Sequence, residues 1–212
     1  MKNIIAKSFT TILIAMVTFL DAQTINRYGT TTANFLEIGI GSRATSMGDA
    51  YVAVANDVSS IYWNPAGLSH VTNSSALFSI QPWLVDIDMM FAGGAFVVPT
   101  IGVIGLGITH LDYGEMDVTN LEYQNGTGER FGASDVAATF TFSRKIVSWF
   151  SFGSSMKYIS SKIWHSSASA FAVDLGVLVN TNFFSFTGKD KDGMNIGMSI
   201  SCLLYTSPSP RD

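Results

Sequence analysis

The chain has 212 residues, a formal net charge of −4 and a single cysteine, Cys202; these exclude charge-driven nucleic-acid binding, a disulfide framework and a cysteine-based metal site. Charged residues make up 13% of it, against about 25% in an ordinary soluble domain, yet no stretch after residue 20 has the roughly 18 consecutive apolar residues of a spanning helix. Low charge without such helices leaves a secreted, polar-uncharged β protein or a transmembrane barrel, in which alternation dilutes the apolar residues.

Residues 1–22 read as a signal peptide. Lys2 and Lys7 give the positive start, and Phe9 to Leu20 the apolar run. Cleavage is expected after Ala22, although Leu20 stands where a small residue is usual. An N-terminal membrane anchor is the alternative, and the apolar run is short for it. Residues 23–72 are rich in Gly and Ala and lack long alternation. Ala44 to Ala55 suits a short helix. Asn64-Pro65 reads as a helix start, because Asn caps and Pro fits the first helical position. Gly67 is expected to end that turn.

From residue 73 to residue 201 the pattern has period two. Val136, Ala138, Phe140 and Phe142 oppose Asp135, Ala137, Thr139, Thr141 and Ser143. Phe171, Val173, Leu175, Val177 and Val179 oppose Ala170, Ala172, Asp174 and Gly176. Met194, Ile196, Met198 and Ile200 oppose Asn195, Gly197, Ser199 and Ser201, and Ile104, Leu106 and Ile108 alternate with Gly105, Gly107 and Thr109. Ser75 to Gln81, Met89 to Val98 and Phe150 to Ser161 complete about seven strands, near the roughly 9–11 residues of a tilted membrane strand. One face is apolar; the other holds Gly, Ala, Ser, Thr and an occasional Asp. A soluble sandwich, the alternative, places Lys, Glu and Arg on its wet face. Small uncharged residues suit a barrel lumen. Pro99-Thr100 and Lys145 to Trp149 are short connections, and Leu111 to Ser134 a long polar one; short turns on one side and long loops on the other fit a barrel. Trp83, Tyr113, Trp149 and Trp164 fall near strand ends, where an aromatic girdle lies.

Alternation stops after Ser201, and residues 202–212 (CLLYTSPSPRD) resemble translated sequencing-adaptor read-through; a native polar loop is the alternative. About seven strands is odd and below the eight of the smallest barrels. The expected fold is therefore all-β: an antiparallel transmembrane β-barrel with an N-terminal helical hatch (23–72), a partial barrel (73–201) holding about half of the strands, and a non-native tail (202–212). Two unpaired sheet edges follow.

Asn34 to Leu68 reads NFLEIGIGSRATSMGDAYVAVANDVSSIYWNPAGL. This segment resembles the N-terminal region of the PorV/PorQ family of outer-membrane proteins, relatives of the FadL-type fatty-acid channels. FLEIGIGSRATSMGDAYVA and YWNPAGL carry the resemblance as ordered blocks; of the later strands, FAVDLGVL is the closest piece. It implies a barrel of about 14 strands, within the even-numbered range, with a hatch inside. The family motif falls on Gly41, Arg43, Met47, Gly48, Asn64, Pro65, Ala66 and Gly67. It further implies a non-enzymatic outer-membrane component of the type IX secretion system, one that receives exported cargo proteins. A FadL-like channel for a hydrophobic small molecule is the alternative. Membrane lipid is the implied surrounding, and no cofactor is implied.

Each residue also has a physical reading. Gly39, Gly41 and Gly48 allow close backbone packing or positive φ. Arg43 and Asp57 form a candidate pair inside the lumen, where unpaired charge is costly. Asn64 caps the turn that plugs it. Other patterns carry little. Gly39-x-Gly41-x-x-Ala44 matches the loose dinucleotide fingerprint, but it lacks a convincing βαβ unit and no Asp or Glu lies about 20 residues on from Ala44. His70, His110 and His165 lack metal-ligand spacing. Asp86 and Asp88 share a strand-start face, better read as solvated than as a cation site. Asn73 and Asn125 fit the glycosylation pattern, out of place in this compartment. No residue set supports an enzyme on the barrel scaffold.

Overall fold

The computed structural model describes residues 33–83, 87–119, 121–124, 126–181 and 193–206. The expected signal peptide, Asp86, Asn125 and residues 207–212 lie outside these. Among the described residues a 3-10 turn, Asn34–Glu37, comes first, followed by α1 (Ser42–Thr45), α2 (Ser60–Trp63) and a 3-10 helix, Pro65–His70. Seven strands follow: β1 (Ser75–Pro82), β2 (Asp88–Val98), β3 (Gly102–Asp117), β4 (Arg130–Val147), β5 (Phe150–Ile163), β6 (Ser166–Thr181) and β7 (Met194–Thr206). They form one antiparallel sheet in the order β1-β2-β3-β4-β5-β6-β7. The sheet is not closed: among the described residues β1 and β7 each have one neighbour.

Period-two alternation sets which face meets the helical segment. On β4 to β6 the buried residues are mostly small or polar, among them Ala137, Thr139, Thr141, Ser143, Ser151, Ser155, Ala172 and Asp174, with Lys157, Ile159 and Leu178 the large ones. Their apolar neighbours Phe140, Met156 and Phe171 are more than half exposed. In a soluble sheet the apolar face is the covered one; here the small polar face is covered and the apolar face is open. β2 and β3 depart from that rule at one place. Met89, Phe91, Val103 and Leu111 point inward and join Phe35, Ile40, Val58, Ile61 and Leu68 in the main core. Each fully buried side chain of this size contributes about 1.5–3 kcal/mol; Ala137, Ile159 and Ala172 of β4 to β6 belong to the same core, so the helical segment is held across the sheet.

Four features differ from the sequence expectation. The helix expected over Ala44 to Ala55 is only the four residues of α1, with turns beyond. Gly48 (φ 63°) and Asp49 (φ 64°) are both left-handed, and no helix passes through two such residues. Half of the loop expected from Leu111 to Ser134 is strand, since β3 runs to Asp117 and β4 starts at Arg130. Arg130 bonds Glu115 and Asp117 across the ladder, so charge here marks strand ends beyond the apolar band. Both ends of the sheet carry a long connection, residues 118–129 at one and 182–193 at the other; the division into a short-turn side and a long-loop side does not hold. Finally, β7 continues past Ser201 to Thr206. The register shifts between Val173 and Leu175, and Cys202 has φ 58°. The lost alternation is a bulge, which resets the faces without ending the strand.

Candidate functional site: the helical segment against the sheet

Asn64 is fully buried, and its side chain spends its amide on three backbone groups. Oδ1 accepts from Ala66 N at 3.1 Å, capping the 3-10 helix that Pro65 begins. Nδ2 donates to Val52 O at 2.8 Å and to Val177 O at 3.3 Å. One side chain thus ties the turn to the preceding segment and to β6. Ser143 Oγ on β4 donates to Ala66 O at 3.1 Å. Glycines make the approach of backbone to sheet feasible. A Cβ on Gly153 would lie 2.3 Å from Pro65 C, and one on Gly176 2.2 Å from Asn64 Oδ1. Gly105 sits under Leu68 and Ile61, and Gly197 under Ala53. Gly67 does not end its turn, which runs on to His70. It is glycine because a Cβ there would stand 2.3 Å from Ala55 O.

The other half of the motif lies apart from this contact. Gly41 (φ 83°) and Gly48 have open space where a Cβ would be, so their role is conformational. Arg43 Nη1 donates to Asn56 Oδ1 at 2.9 Å and lies 3.5 Å from Asp57 Oδ2. The expected pair forms, but both side chains are largely exposed (58% and 43%), so it is worth under about 1 kcal/mol. The expectation of a costly charge buried in the lumen is corrected for Arg43. Tyr51 donates its hydroxyl to Asp57 Oδ2 at 3.1 Å, and burial together with the Asp57 charge pushes its phenol up. Met47 is 46% exposed at the surface. Tyr51 meets Trp63 edge-on at 6.2 Å, which links the two halves.

Sequence reasoning passed over the ion pair under the helical segment. Lys157 Nζ on β5 lies 2.7 Å from Asp174 Oδ2 on β6, with side chains 4% and 1% exposed. The ammonium also stands 5.7 Å from the centre of the Tyr62 ring. The Tyr62 hydroxyl stands 2.7 Å from both the Leu36 and Ile38 carbonyls, which share its one proton, and burial pushes that phenol well up. A signal existed. Lys157 falls in phase with Gly153 and Ser155, just as Asp174 falls in phase with Ala172 and Gly176. Opposite charges on the small-residue faces of consecutive strands are diagonal neighbours once the register is known.

Trp83, Trp149 and Trp164 lie at strand ends and are about half exposed. Tyr113 does not join them: it is on the inner face, donating to Asp135 Oδ2 at 2.7 Å. The outer face carries an apolar groove of about 790 Å³ beside Phe78, Leu106, Ile108, Phe140 and Phe171. No described helix is long and apolar enough to cross a membrane, which leaves strand crossing open. Among the described residues no group of three His, Cys, Asp or Glu side chains is placed to hold a metal ion. No protein-family model matches the chain, and no curated protein matches it.

Proposed function

We propose that the seven strands are part of a transmembrane β-barrel of a bacterial outer membrane, with residues 33–71 as its hatch, and that the protein is non-enzymatic. The observation that carries this is the inverted sheet, with small and polar residues under the hatch and Leu106, Phe140, Met156 and Phe171 outward. Lipid is the solvent that rewards an apolar outer face, and a barrel needs its inner face narrow or polar. Membrane insertion tests it: the complete barrel that includes these strands, incubated with lipid vesicles, should become protected from protease over them. A complete protein that stays in the aqueous phase and is digested throughout these strands ends the proposal.

Within that class the role is proposed from the resemblance of Asn34 to Leu68 to the PorV/PorQ family: a type IX secretion component that receives exported cargo. Deletion of the gene should strip surface-attached proteins from the cell, and the protein should co-purify with cargo. Normal secretion in the deletion strain would refute the role. The second reading, a channel for a hydrophobic small molecule, is favoured by one feature, the hydrogen bonding of the Asn64 turn to the sheet, through Asn64 to Val177 O and through Ser143 to Ala66 O. It requires uptake to change when Asn64 is replaced; uptake unchanged by gene deletion removes it.

A further inference from the structure

The buried ion pair is held within the sheet, while its cover comes from elsewhere. Lys157 on β5 and Asp174 on β6 are diagonal neighbours, because Lys157 pairs with Ala172 and Ser155 with Asp174. Lys157 Nζ stands 2.7 Å from Asp174 Oδ2. The other carboxylate oxygen accepts from Cys202 N of β7 at 2.8 Å. Residues 33–71 lie over this pair. Tyr62 sits above the ammonium, Asn64 above Gly176 and Pro65 above Gly153. Beneath them the two side chains are 4% and 1% exposed. Among the described residues no carboxylate of the covering segment forms an ion pair with Lys157, and Asp57 is engaged by Arg43 of the same segment. The cover therefore takes two charges out of water and gives the ammonium only the face of the Tyr62 ring. Desolvating two charges is expensive and is offset only by their partners. Here those partners belong to the strands and are the same whether or not the cover is in place; the ring offsets a part.

We propose that the Lys157–Asp174 pair is a release element for the hatch: a charge pair that opposes seating and keeps the hatch free to lift from the wall. The inference rests on the reading of residues 33–71 as a hatch inside a barrel. Seating gains the shared core around Phe35, Ile61 and Leu68 and the hydrogen bonds of Asn64 and Ser143. It loses the hydration of the pair. Lifting the hatch reverses both, with Lys157 and Asp174 still together on paired strands. Complete unfolding is different, because it also separates the two charges and loses their attraction. The pair thus acts on the local step, in which the hatch opens while the strands stay paired, more than on global stability.

The test measures amide hydrogen exchange in the complete barrel that includes these strands, inserted into phosphatidylcholine vesicles. Lys157→Gln with Asp174→Asn removes both charges and keeps both side chains polar, so no apolar surface is added that would itself favour seating. The hatch amides should then exchange about tenfold more slowly than in the unaltered barrel, as expected when a buried pair is removed whole, while β3 to β5 keep their protection. Lys157→Gln alone leaves the Asp174 charge covered without its cation, and the hatch amides should exchange faster. Hatch exchange in the double variant that is equal to or faster than in the unaltered barrel, with the strands protected, overturns the proposal and leaves the barrel reading intact. Lys157→Met with Asp174→Leu is the second replacement of the pair. If the strands lose protection in both double variants, the pair holds the wall itself together and the proposal is overturned as well. An unaltered barrel that fails to insert overturns the barrel reading, and this inference with it.

Discussion

At Gly176 a single missing methyl decides whether the hatch seats. A Cβ there would meet Asn64 Oδ1 at 2.2 Å and the Pro65 ring at 2.8 Å, and the strand backbone gives little room to yield. Gly176→Ala should destabilise the fold by about 1–3 kcal/mol, the range for overpacking, measured by urea unfolding. Gly132→Ala is the matched control, because its Cβ would meet nothing closer than 3.8 Å; equal losses at both positions would reject the seating account. Lys157 and Asp174 present a different balance. Removing one partner strands a buried charge, so Lys157→Met should cost about 3–5 kcal/mol, whereas Lys157→Met with Asp174→Leu should recover most of it. A double variant as unstable as the single one would show that the pair is not the cause. His70 is half-buried with its pKa lowered by burial and then by Lys145. A depressed histidine binds fewer protons folded than unfolded, so its contribution is complete above about pH 6.5 and is lost as pH falls below that. Unfolding midpoints taken from pH 8 to pH 5 should fall, and His70→Gln should flatten the slope.

At the scale of elements, residues 33–71 are a set of very short helices and turns with little stability of their own. Their order comes from the core they share with the sheet and from the hydrogen bonds of Asn64 to Val177 O and of Ser143 to Ala66 O. Asn64→Ala removes the cap on Ala66 N and both donations, at a cost of about 1–3 kcal/mol. Hydrogen exchange should show the loss first in the hatch amides, with β3 to β5 still protected. Simultaneous loosening of hatch and strands would mean that the two are one cooperative unit. The strands need no such support. Each interior strand pairs with a neighbour on both sides, and the polar extensions of β3 and β4 pair with each other past the apolar band.

For the whole molecule, the exposed apolar face is where the proposed membrane setting can be tested. Leu106 and Ile108 are each half exposed on the outer face. In water, Leu106→Arg is a surface change of little consequence; in lipid it costs about 2–4 kcal/mol near the bilayer midplane. Vesicle insertion of Leu106→Arg should therefore fail or weaken sharply; unchanged insertion would argue that this face does not meet lipid. The sequence by itself determined seven strands, their faces and the capped Asn64-Pro65 turn, because alternation and capping are local and each residue reports its own environment. It did not determine the extent of β3, β4 and β7, because charge at a strand end and a bulge at Cys202 look the same as a loop when the partner strand is unknown. Only the tertiary structure decided that Gly153 and Gly176 form the seat of the hatch, that Arg43 is exposed, and that Lys157 meets Asp174. Those are contacts between residues distant along the chain or set by register, and no local pattern encodes register until the strands are paired.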